Sequence, residues 1–192
     1  MKILLLGGSK SGKSMLAQRL IKALSDEDGS KPVYWATMEP TDGEDRSRIE
    51  RHILERAGWG FETVECAVNI CAFLPKLDKN AAVLFDSITA LTANETFGTV
   101  KSGYLSEPDK TAEARTANEL ELLMSTAKHT VLVCDELFRD GIIYDKTTED
   151  YRRALANICR RLAENCDAVC EVVCGNIKLH KGKLPFFDGK NL

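Results

Sequence analysis

Short runs of almost unbroken apolar residues recur along the chain, at 1–6, 33–37, 81–86, 130–136 and 167–175. Each has strand length and is dense in aliphatic or β-branched residues, so each predicts a strand. FETVE, at 61–65, predicts one more. Between the runs the period changes. Leu16, Leu20, Ile21 and Leu24 have helical spacing, and a polar stretch ending in Gly29 closes them. Residues 112–128 and 147–165 predict two further amphipathic helices, 46–57 an exposed one with alternating charge, and 68–77 a short one. Residues 39–45 read as a turn cluster. Residues 98–110 hold glycine, serine, proline and charges out of period, and read as a loop or lid. NIKLHKGKLPFF, at 176–187, predicts a hairpin that closes the sheet.

A strand that is apolar at nearly every position has no solvent side. Strands of this kind alternating with helices predict an α/β fold: a mostly parallel sheet with helices on both faces. No repeat and no break in composition divides the chain, so a single domain over 1–192 is expected.

The loop between the first strand and the first helix reads GGSKSGKS, residues 7–14, and matches G-x-x-x-x-G-K-[ST] without a gap. Gly7 and Gly12 let the backbone turn so that the N–H groups of Gly8, Ser9, Lys10 and Ser11 face a phosphate. The helix that begins near Lys13 adds its positive N-terminus. Lys13 reaches β/γ-phosphate oxygens and the Ser14 hydroxyl ligates Mg²⁺. The strand before and the helix after are the context this motif needs, so ATP or GTP is the expected ligand.

Two buried strands end in acids, one at Asp86 and one at Asp135 and Glu136. In a parallel sheet, ligands lie beyond the carboxyl ends of the strands, beside the phosphate loop. Asp86 is expected to hold Mg²⁺ together with Ser14, and Glu136 to position or deprotonate an acceptor hydroxyl. Asp135 remains the other candidate for the metal.

Composition narrows the partners. The chain has 192 residues, 44% of them hydrophobic and 29% charged, with a net charge of −3. No lysine-arginine block stands out, which argues against nucleic acid. No apolar run approaches the ~20 residues of a membrane span. The apolar opening leads into a glycine-rich loop and not into a cleavage site, so no signal peptide is expected. Seven cysteines occur, an odd number, with no CxxC pair, and only His180 lies near the four at 159–174. They are expected to be buried free thiols of a cytoplasmic protein. His129 and His180 are expected at surface or capping positions.

Several short motifs follow the phosphate loop in order. They are VYWAT at 33–37, then Asp42, Glu44, Arg48, Ile49 and His52, then Thr63–Glu65, then DSITALTAN with Asp86, Thr89 and Asn94, then DELFRDGII, then the 152–179 segment. The series covers most of the chain. It resembles the bifunctional cobinamide kinase/cobinamide-phosphate guanylyltransferase family of cobalamin biosynthesis. The resemblance implies a RecA-like P-loop domain, a symmetric homo-oligomer, and adenosylcobinamide and a nucleotide as substrates. It implies phosphorylation of the aminopropanol hydroxyl, then GMP transfer through a guanylylated histidine. It also implies that Thr37, His52, Glu65 and Asp86 line the nucleotide site, where the Glu65 carboxylate suits the N1–H and N2–H₂ donors of guanine.

The sequence departs from the family pattern at three places. Arg51 stands where the modified histidine is expected, and the neighbouring His52 is kept. Asp45 replaces a methionine. The motif N-E-V-G-x-G begins here with Asp135 in place of asparagine and loses its first glycine. A guanidinium stays protonated and is a poor nucleophile, so Arg51 is expected to bind phosphate. The kinase step is expected to be kept and guanylyl transfer to be lost or strongly impaired, the alternatives being that His52 takes over or that transfer proceeds directly without an intermediate. Two other readings of the phosphate loop are a nucleotide-dependent switch or assembly module with no small-molecule acceptor, and a kinase of another hydroxyl.

Overall fold

The computed structural model describes residues 1–39, 53–54 and 56–185. Strand β1 (Lys2–Gly7) runs parallel between β7 (His129–Asp135) and β8 (Ala168–Val173). Beyond β7 come β4 (Ala81–Asp86), β2 (Lys31–Ala36) and β3 (Glu62–Glu65), each parallel to its neighbour. On the other edge, β9 (Asn176–Lys181) turns back antiparallel on β8. The order is therefore β3-β2-β4-β7-β1-β8-β9. Phe186 and Phe187, placed in the terminal hairpin by the sequence pattern, lie outside the described residues.

Helix α1 (Lys13–Asp28) covers one face of the sheet. Helices α2 (Ile88–Phe97), α3 (Ala112–Thr126) and α4 (Lys146–Asn165) cover the other. The strand residues sort accordingly. Ile3, Leu5, Ala82, Leu84, Val131 and Val133 pack with Leu16, Leu20 and Ile21 of α1. Leu4, Val83, Phe85, Leu132 and Cys134 pack with Leu91, Leu120, Leu123, Leu155 and Ile158. Successive strand side chains point to opposite faces, and here both faces are core, which is why the strands read as unbroken apolar runs.

Helix α1 stops where its sequence predicts: Gly29 takes a left-handed conformation and its N–H caps the Ser25 carbonyl. The expected helix at 68–77 does not form. It is two three-residue 3₁₀ turns, Ile70–Ala72 and Leu74–Lys76. Pro75 has no N–H to continue an α-helix, and Asn69 is left-handed with φ 49°. Side chains satisfy the orphan donors: Glu95 accepts from the Asn69 N–H and Glu119 from the Ile70 N–H.

The apolar residues of helix α2 show no dominant face, so the sequence pattern does not predict it. Its ends are nonetheless signalled. The Ser87 side chain accepts from the Ala90 N–H at the start, and Gly98 ends it. Thr92 and Thr96 bond back to the carbonyls of Ile88 and Thr92 at 2.8 and 2.7 Å, which hides their hydroxyls inside the helix. The loop at 98–110 contains a small antiparallel pair, β5 (Gly98–Thr99) and β6 (Gly103–Tyr104). Most of the expected helix at 46–57 lies outside the described residues.

Candidate active site

The phosphate loop runs from the end of β1 to the start of α1. Gly7 is held close to β8: a Cβ there would meet the Val172 carbonyl oxygen at 2.4 Å. Gly12 caps α1 with φ 102°, and neither a capping side chain nor an acid occupies the first turn. The N-terminal N–H groups of α1 are thus left for an anion. The turn after β8 braces the loop, as Gly175 N–H donates to the Ser11 carbonyl at 3.0 Å.

Lys13 folds back under this loop, almost wholly buried. Its Nζ donates to the Gly8 carbonyl at 2.6 Å and pairs with Asp135 Oδ1 at 2.9 Å. Asp135 ends β7, the strand next to β1, and its N–H donates to Thr89 Oγ1 at 2.8 Å.

Asp135 also lines a cavity of about 830 Å³. The cavity opens across the carboxyl ends of β7, β4, β2 and β3, with Asp86, Glu65 and Thr63 in its wall. Lys101 and Ser102, from the segment expected to be a lid, stand at it too. Asp86 is buried and accepts from the Tyr34 hydroxyl at 3.1 Å. Arg56 stacks on the Tyr34 ring, its guanidinium carbon 3.7 Å from the centroid. Tyr151 closes another side and donates to the Thr89 carbonyl at 3.0 Å. Burial pushes its phenol well above the ordinary range, so it stays protonated. Burial likewise raises the Cys66 thiol in the cavity wall.

The sequence-predicted residues divide. Lys13, Ser14 and the loop glycines sit at one end, and Asp86 and Glu65 in the cavity. Thr37 does not face a ligand through its side chain: it is fully buried, donates to the Ser87 carbonyl and accepts from the Ser87 N–H. Its part is to hold the turn after Asp86. Glu136 turns to Arg139 at 2.9 Å and is not in the cavity wall, whereas its neighbour Asp135 is. Arg51 and His52 lie outside the described residues.

The family model of cobinamide kinase / cobinamide phosphate guanyltransferase matches residues 3–179. The chain belongs to this family. Two bifunctional adenosylcobalamin biosynthesis proteins are similar to it along nearly their whole length. CobU of Salmonella typhimurium is 29% identical, over 91% of this chain and 97% of its own. CobP of Pseudomonas aeruginosa is 29% identical, over 91% of this chain and 94% of its own. In structure, a KaiC-like protein of Pyrococcus horikoshii superposes with a TM-score of 0.52 at 17% identity, covering 100% of this chain and 82% of that one. The shared fold is that of RecA-like P-loop ATPase domains.

Within the family's motifs, Asn94 has a visible purpose. Its Nδ2 donates to the Thr37 and Ala67 carbonyls, at 2.9 and 3.0 Å, and ties the segments after β2 and β3 together. Tyr34 and Tyr151 are the site residues that sequence reasoning missed. Tyr34 lies inside the VYWAT motif, where only Thr37 was singled out, and Tyr151 sits in an ordinary helical pattern with no signal.

Proposed function

We propose that this chain is a nucleotide-dependent kinase that phosphorylates the aminopropanol hydroxyl of adenosylcobinamide, with ATP or GTP as donor. The observation that carries this reading is the continuity of the two halves of the site. Lys13, which meets the transferred phosphate end, is one ion pair away from the wall of a cavity large enough for an acceptor. Phosphoryl transfer asks mainly for positioning and charge neutralisation, and the arrangement offers both.

Mg²⁺ fits the residues present. Asp86 is a buried carboxylate that makes no ion pair among the described residues; the hydrogen bond it accepts comes from a neutral phenol. Two strand spacings, roughly 10 Å, separate β4 from β1 and leave room for phosphate and water. No cluster of three His, Cys, Asp or Glu stands ready for a metal among the described residues. Mg²⁺ needs none, since phosphates and waters supply most of its shell. Ser14 and Asp86 would hold it, and it would neutralise charge between the β- and γ-phosphates. In this reading the loop N–H groups and Lys13 bind the phosphates, Tyr34 orients Asp86, and Glu65, in the cavity wall, accepts from guanine N–H groups.

The test is incubation of the pure protein with adenosylcobinamide and each nucleotide, followed by product mass. A gain of one phosphoryl group on the corrinoid supports the reading, and an unchanged corrinoid with both nucleotides rejects it. Guanylyl transfer is expected to be lost or strongly impaired, because Arg51 takes the place of the nucleophilic histidine. An acid-labile label from α-labelled GTP that vanishes in His52→Ala would instead make His52 the nucleophile. A homo-oligomer belongs to the same reading, and light scattering should return a multiple of the 21.3 kDa chain mass.

A further inference from the structure

The Asp135 carboxylate stands between two partners. On one side is Lys13, 2.9 Å away; on the other is the open cavity, and the Asp135 side chain is 24% exposed. Its backbone cannot follow either partner. The Asp135 N–H is held by Thr89 Oγ1, and the next N–H, of Glu136, donates to the Gly7 carbonyl at 2.9 Å. Only the short side chain moves. Lys13 has a like choice, because a bound nucleotide brings phosphate oxygens to the loop that Lys13 already underlies. The nucleotide carries more negative charge than one carboxylate, so Lys13 leaves Asp135 for it. The carboxylate is then partly buried without its cation and needs a donor.

We propose that Asp135 orders the reaction: nucleotide binds first and takes Lys13, and the freed Asp135 carboxylate then accepts a hydrogen bond from the acceptor hydroxyl. Without nucleotide the carboxylate is spent on Lys13 and the acceptor is held weakly. This inference rests on the reading of the chain as a kinase of a hydroxyl.

Calorimetry with Asp135→Asn, a substitution of the same shape, tests it. Imido analogues of ATP and GTP with Mg²⁺ should bind the variant about five- to twentyfold more tightly than the wild type, whereas adenosine and guanosine bind both equally. Adenosylcobinamide should bind the wild type at least about fivefold more tightly with the analogue than without it. In Asp135→Asn that difference should shrink to about twofold or less. Equal analogue affinity in the two proteins overturns the exchange of Lys13. Equal adenosylcobinamide affinity with and without analogue in the wild type overturns the order. Failure of adenosylcobinamide to bind any form overturns the substrate assignment instead, and the analogue titration still decides the exchange. Asp135→Ser, assayed in the same nucleotide titration, separates a fold defect from the loss of the carboxylate, since both variants must tighten binding.

Discussion

Lys13 and Asp86 are both buried and charged, but they meet that burden differently. Lys13 is satisfied within the protein by Gly8 and Asp135. Lys13→Ala removes the cation proposed to meet the β/γ oxygens, and charged hydrogen bonds of this kind contribute about 1.5–3 kcal/mol each. Nucleotide affinity measured by calorimetry is therefore expected to fall at least about tenfold. Asp86 has a phenol and no cation among the described residues. Asp86→Asn keeps the Tyr34 contact and deletes the charge, so it should raise the Mg²⁺ concentration needed for turnover and lower maximal turnover. Mn²⁺ bound with nucleotide, followed by electron paramagnetic resonance, should weaken in parallel. A normal metal titration in Asp86→Asn together with a weakened one in Asp135→Asn would move the metal to β7.

At the scale of elements, the site is held from behind by helix ends and buried side chains. Helix α4 is capped at its start by Asp145, whose carboxylate accepts from the Thr147 and Thr148 N–H groups. Asp145→Ala removes this N-cap and should lower the urea midpoint at unchanged slope. Arg152 lies in the same helix and holds the loop after β7 through the Leu137 and Ile142 carbonyls and Asp140. The loop that carries Asp135 and Glu136 toward α4 is thus clamped by a charged side chain, where the sequence shows only a loss of glycine. Glu119, near Glu95 and the 3₁₀ turns, is raised above the ordinary carboxylate range by burial and then by Glu95.

For the molecule as a whole, the thiols make stability depend on alkaline pH. Burial pushes Cys170 up to about 11 and Cys166 to about 12, above the ordinary thiol range. In the unfolded chain these thiols ionise at about pH 8.5. Folding therefore holds them neutral over a window in which the unfolded chain loses protons. Their contribution is complete below about pH 8.5 and is lost as pH rises through the folded values. The urea midpoint under reducing conditions should fall between pH 8 and 10, and Cys170→Ala should flatten that fall. Alkylation of the native protein below pH 8 should reach Cys174, which is exposed, before Cys134, Cys159, Cys166 or Cys170, which are buried. No described helix is long and apolar enough to cross a membrane.

Much of this was legible in the chain itself. The buried strands, the long helices, the glycine stop of α1 and the phosphate loop are set by interactions within a few residues, and a linear pattern displays those. Residues 68–77 read as one helix by their apolar period, with only Pro75 against it, and α2 has no dominant period, with only Ser87 and Gly98 to mark its ends. The roles of Asp86, Asp135 and Glu136 were not legible, because in sequence they are the same thing: acids at the ends of apolar strands. The sheet order sets them apart in space. With β7 between β4 and β1, Asp135 falls beside Lys13 and Asp86 lies one strand farther out, with space in front of it. Glu136, just past the end of β7, pairs instead with Arg139. Which strand lies next to which is a property of the whole packed sheet, and it sets the distances on which the chemistry depends.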